Sequence, residues 1–195
     1  MASLINSAQS GGSGSMTIQG PATNLTQTLT LPDVSGTFGV LSLGTSQVST
    51  SGTNIDFTNI PSTVRRITVM FNGVSTNGTN LPLIQLGAGS VTTTGYISAS
   101  VNLQNGSAVS VGSSTAGFIV FQNAASEATA GSVTFTLFGS NTWIASGTMI
   151  STTGVILFTN VTGSVALSGT LDRVRITTVG GTDTFDAGSI NIMYE

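Results

Sequence analysis

Short runs in which threonine or serine alternates with a β-branched or aromatic residue recur along the chain from about residue 52, with glycine- and asparagine-rich turns between them. In VTFTL at residues 133–137 every odd position is apolar and every even one is threonine. In RITVMF at 66–71, Ile67, Val69 and Phe71 share one face; Val174 and Ile176 oppose Arg173 and Arg175; Ile190, Ile192 and Tyr194 oppose Asn191 and Met193. A period of two places successive side chains on opposite faces of an extended strand, and no stretch carries the 3.6-residue period of a helix. Further candidate strands lie at 83–86, 96–103, 117–122, 142–150 and 155–161. About nine such strands predict an all-β fold, an antiparallel β-sandwich of jelly-roll-like kind, over residues 49–195.

Two runs break the alternation. FIVF at 118–121 and VILF at 155–158 are apolar on both faces, whereas an antiparallel sandwich normally buries only one face of a strand. Either each is a central strand covered on both sides, or its outer face packs against a sister chain. The second alternative makes Phe118, Val120, Val155, Leu157 and Phe158 candidate interface residues of an oligomer.

The N-terminal third differs. Residues 1–15 end in GGSGS, a flexible composition, and residues 16–48 hold too few apolar side chains to bury a core. Residues 1–48 therefore read as an anchoring arm and short stalk. Within it Leu4, Ile5, Met16 and Ile18 are the apolar residues best placed to grip a partner. The first fifteen residues lack a basic start and an apolar stretch, so no signal peptide is expected.

Composition removes much chemistry. Serine, threonine, glycine and asparagine fill 97 of 195 positions, and only 6% of residues are charged. With no histidine, cysteine or lysine, a serine–histidine relay, a cysteine nucleophile, a lysine Schiff base and a P-loop lysine are all impossible. Zinc is equally disfavoured. A formal charge of −3 with four arginines makes no basic face, so nucleic acid is not an expected partner. The mean hydropathy of +0.36 reflects missing charge, since the longest apolar runs are about four residues against the ~18 of a bilayer span; membrane insertion is not expected.

Few positions invite a binding role. Trp143, the one tryptophan, sits in SNTWI and could stack on a sugar ring, although core or interface packing is the commoner use of such a residue. Tyr96 follows the loop at 87–95 and carries the same two readings. Asn77 and Asn80 belong to the polar loop at 72–80, where a host surface glycan could be contacted. GGTDTFDAG at 180–188 is a single glycine–aspartate unit, read as a turn with self-capping aspartates rather than a calcium site. No cofactor, metal ligand or catalytic residue is assigned, and no spacing of acids marks a glycosidase pair.

Three segments in order carry a resemblance: TLTLPDVSGT at 28–37, NIDFTNIP with RITVMFNGVS at 54–61 and 66–75, and DRVRIT with DTFDAGSINI at 172–177 and 183–192. Together they resemble fibre-like structural proteins of tailed bacteriophages, marine ones included. The resemblance implies a non-enzymatic virion protein made in the bacterial host cytoplasm. It implies a homotrimer whose arm joins other virion proteins and whose head meets the host surface, on either the tail or the capsid. A capsid head-fibre or decoration protein is the alternative, and a small polysaccharide-cleaving tail protein the third reading.

Overall fold

The computed structural model describes residues 39–104, 106–120, 124–125, 127–151 and 156–195. The proposed anchor residues Leu4, Ile5, Met16 and Ile18, and Val155, lie outside them. In chain order the strands are β1 (Ser42–Leu43), β2 (Gln47–Val48), β3 (Ile55–Thr58), β4 (Arg66–Thr76), β5 (Pro82–Ala88), β6 (Ser90–Val91) and β7 (Ile97–Gln104). There follow β8 (Ser110–Ser114), β9 (Phe118–Ile119), β10 (Thr129–Gly139), β11 (Thr142–Ser151), β12 (Leu157–Ala166), β13 (Arg173–Thr178) and β14 (Phe185–Tyr194).

The strands form two antiparallel sheets. The larger runs β1-β14-β4-β10-β11-β12-β7-β8, with β2 also on β14; the smaller runs β3-β13-β5-β6, with β9 also on β5. The chain crosses between sheets repeatedly, but β10, β11 and β12 form a meander within the larger one. Ser140 and Asn141, both at positive φ (46° and 62°), make the two-residue turn from β10 to β11. Paired left-handed residues give this turn the twist that matches its strands.

One core joins the sheets. Ile67, Val69, Phe71, Val133, Phe135, Ile190 and Ile192 face it from the larger sheet, and Ile84, Leu86, Val174 and Ile176 from the smaller. These are the residues that the period-two pattern places on one face. Phe118 locks the layers together: its ring meets Tyr96 edge-on at 5.0 Å between centroids and Phe135 at 5.0 Å with a tilt of 50°.

The two-faced run at 118–121 is therefore not an exposed interface. Phe118, Ile119 and Val120 are all buried, because β9 pairs with β5 and packs under β7, β8 and β12. Phe118 and Val120 are corrected from interface to core. Leu157 is corrected likewise: it faces inward from β12, while its neighbour Phe158 faces out and is 44% exposed. Ordinary alternation accounts for that pair once the strand's phase is known.

The sheet also starts earlier than residue 49. β1 pairs Ser42 with Tyr194, and β2 pairs Ser189 with Val48, so the last strand holds the first two. Gly39–Glu195 form one compact unit. A bulge between β4 and β14 brings Gly188 (φ 88°) so close to Gly73 that a Cβ there would lie 2.3 Å from the Gly73 carbonyl oxygen. Only glycine suits that position. Among the described residues no helix is long and apolar enough to cross a membrane.

Candidate functional site

The aromatic candidates turn inward. Trp143 lies on the core face of β11 and is 2% exposed; only its edge lines a small hollow of about 210 Å³ beside the β10–β11 turn. Tyr96 is equally buried, and its hydroxyl accepts from the Leu86 N–H at 2.8 Å and faces the Leu86 and Thr92 carbonyls at 3.2 and 3.0 Å. Burial raises the phenol pKa above its ordinary value, against the smaller opposite pull of the Leu86 hydrogen bond. Neither ring can present a face to a sugar, so both are corrected from receptor contacts to core residues. Their apolar area is worth more in the core than in water.

The asparagine candidates serve a clip between loops. The Asn80 backbone N–H and its side-chain amide donate to the two carboxylate oxygens of Asp183 at 2.8 and 2.7 Å. Asn77 accepts from the Thr184 N–H on its Oδ1 at 2.9 Å and donates its own N–H to the Thr184 carbonyl at 2.9 Å. Asp183 thus caps a loop about a hundred residues away rather than its own turn, and Asp186 accepts from Ser75 of β4. The self-capping turn expected at 180–188 is replaced by these cross-loop bonds. Sequence spacing carries no signal for a partner so distant.

The other carboxylates are also engaged. Arg175 grips Asp56 through Nε and Nη2 at 2.7 and 2.6 Å. Arg173 holds Asp172 in the same bidentate way at 2.8 and 3.1 Å, and that hydrogen-bonded guanidinium keeps the Asp172 carboxyl below its usual range. Arg66 pairs with Glu195. Among the described residues no three potential metal ligands converge.

Two surfaces remain for recognition. A groove of about 530 Å³ runs between the Leu43–Gln47 segment, β3 and the end of β14, with Asn59 and Tyr194 on its walls beside the Asp56 ion pair. The second surface is the outer face of β11, β12, β7 and β8. Cross-strand registers set Ile150 beside Phe158 and Phe158 beside Leu103, three side chains each 44% exposed. The next row is Thr148, Asn160, Val101 and Val111; the one after it is Ser146, Thr162, Ala99 and Ser113. No residue of these four strands is ionisable. Between Arg66 and Asp172 the chain carries a single charge, Glu127, and that side chain is buried. The face is a charge-free sheet of hydroxyls and amides with an apolar strip along one end.

The strip was legible only in part. Phe158 is the one interface candidate that reaches it, while Ile150 and Leu103 were missed. They become its neighbours only through pairing across β11, β12 and β7.

The chain matches no family model, no curated protein and no solved structure.

Proposed function

We propose that this chain is a non-enzymatic structural protein of a virion, a phage fibre. Its N-terminal arm attaches to the particle, and its β-sandwich head projects and contacts the host cell surface. The observation that carries the reading is the charge-free outer face of β7, β8, β11 and β12. A surface of uncharged hydroxyls and amides hydrogen-bonds to polyols without demanding a charged ligand, and its apolar strip suits packing against a sister head. The strip at Ile150, Phe158 and Leu103 is where copies of a homotrimer would meet. The resemblance of the three sequence segments to phage fibre proteins supplies the setting, an extracellular particle with other virion proteins as partners of the arm.

Immunogold electron microscopy of purified particles, with antibody raised against residues 49–195, tests the assignment. Gold at the tail is the expected result. Gold over the capsid would favour the second reading, a head fibre or decoration protein, which the short 195-residue chain also suits. Unlabelled particles would overturn both. Deleting residues 1–24 should leave a folded protein that no longer joins particles.

A further inference from the structure

The hollow beside the β10–β11 turn holds the one arginine that no carboxylate neutralises. Arg66, Arg173 and Arg175 are each ion-paired, whereas Arg65 has no acidic partner among the described residues, and no acid lines the hollow. Its guanidinium is nevertheless fixed. Nη1 donates to the carbonyls of Ser62 and Val64 at 3.1 and 3.0 Å, which leaves the edge formed by Nε and Nη2 without an intramolecular acceptor. The backbone beneath is tied on both sides: the Arg65 N–H donates to the Glu195 carbonyl at 2.7 Å, and the Leu137 N–H donates to the Arg65 carbonyl at 2.8 Å. A guanidinium held by one nitrogen has already lost much of its rotamer freedom, so little more is lost when its free edge takes a ligand.

The surroundings narrow what that ligand is. Ser140 and Asn141 of the turn and Thr170 of the facing loop supply uncharged polar side chains, and the loop is fastened to the turn by the Leu167 N–H on the Asn141 carbonyl at 3.0 Å. The edge of Trp143 provides an apolar wall. One planar cation matches one planar anion, a carboxylate, better than a phosphate dianion, which draws on several cations. Hydroxyl and amide groups around it match ring hydroxyls. About 210 Å³ suits one sugar ring rather than a stretch of polymer. We infer that this hollow is a subsite for a single acidic sugar, a hexuronate type, whose carboxylate takes the free edge of Arg65 while its hydroxyls meet Ser140, Asn141 and Thr170. The inference rests on the host-contact reading for the source of such a sugar, a surface polysaccharide, but not for the chemistry of the site.

Trp143 is the chain's only tryptophan and forms a wall of the hollow, so its emission reports on occupancy. The experiment titrates the full chain with galacturonate, galactose and inorganic phosphate at constant ionic strength. It follows Trp143 fluorescence and, in parallel, saturation transfer from protein to sugar protons by NMR. Galacturonate should bind saturably with a Kd of ~1 mM, as expected of one charge-assisted contact and a few hydrogen bonds, and galactose at least about fivefold more weakly. Arg65→Ala should weaken galacturonate about tenfold and erase its preference over galactose. Arg65→Lys should recover little, because an ammonium lacks the planar fork. Both variants keep the backbone bonds of residue 65, and unchanged circular dichroism and melting would verify that. Equal binding of galacturonate by Arg65→Ala, or no binding by either readout, would overturn the subsite; equal binding of phosphate would make it a plain anion site and overturn the sugar assignment. Cell adsorption of the head measured separately keeps the two readings apart. Adsorption without galacturonate binding would sink this inference alone, and galacturonate binding without adsorption would sink the host-contact reading alone.

Discussion

Replacing Phe118 by alanine distinguishes a core aromatic from an interface aromatic. The side chain is wholly buried in a single chain, pinned between Tyr96 and Phe135 at centroid distances of 5.0 Å. Truncating a buried phenylalanine costs roughly 3–5 kcal/mol, and the two ring contacts place this site toward the upper part of that range, near 4 kcal/mol. Unfolding entropy of ~2.1 cal/mol/K per residue gives about 0.3 kcal/mol/K for a unit spanning Gly39–Glu195. Phe118→Ala should then lower Tm by about 12 °C. Differential scanning calorimetry at two protein concentrations, with native mass spectrometry alongside, is the assay. A core role predicts the full loss of Tm at both concentrations and an unchanged native mass. A fall of less than ~3 °C, or a change of mass with stability retained, would refute the packing argument and return Phe118 to an interface.

Phe158→Asp should do the converse: as the residue is 44% exposed, the single head should stay folded while the native mass falls to that of a monomer, and an unchanged oligomer would contradict the strip as a contact. Gly188→Ala should cost about 3 kcal/mol, read as a lower urea midpoint, because φ of 88° is strained for alanine and a Cβ would meet the Gly73 carbonyl at 2.3 Å; a loss under ~1 kcal/mol would mean the bulge yields easily. The Tyr96 phenol, raised above its ordinary pKa by burial, contributes stability that is complete below about pH 10 and is lost as pH rises further, since the unfolded chain releases a proton that the folded chain keeps. Urea midpoints from about pH 9 to 11 should accordingly fall more steeply for wild type than for Tyr96→Phe; parallel curves would remove Tyr96 as the cause.

The long strands were legible because their burial obeys a local rule. Val133 and Phe135, Ile67 to Phe71, and Val174 with Ile176 alternate with polar residues, and each apolar set lies on the core face. β8 escaped because SVGSS holds one apolar residue, Val111, and that residue points outward at the sheet edge. β1 and β2 escaped because two-residue strands carry no period at all; what makes them strands is β14. The run at 118–121 illustrates a different limit. Composition revealed that both faces were to be covered, but whether the cover came from the same chain depended on β7, β8 and β12 folding over it. Candidate binding residues fared worst. Tyrosine, tryptophan and asparagine attract ligands when exposed and hold structures together when buried, and only the fold decides between the two. Arg65 drew attention as one of an adjacent pair, yet its partner Arg66 found an acid and Arg65 did not.

The insertion of β14 between β1 and β4 has a consequence for how the protein is made. Of the strands described, synthesis delivers β14 last, yet its place is inside the larger sheet. Until it emerges from the ribosome, β4 presents one long edge of unpaired backbone groups, β1 and β2 have nothing to hold, and Ile67, Val69 and Phe71 lack the cover of Ile190 and Ile192. Vectorial folding from the N-terminus is therefore closed to this chain. A nascent head waits as an open half-sheet, and a ribosome that stalls anywhere before residue 185 releases a chain with an adhesive edge.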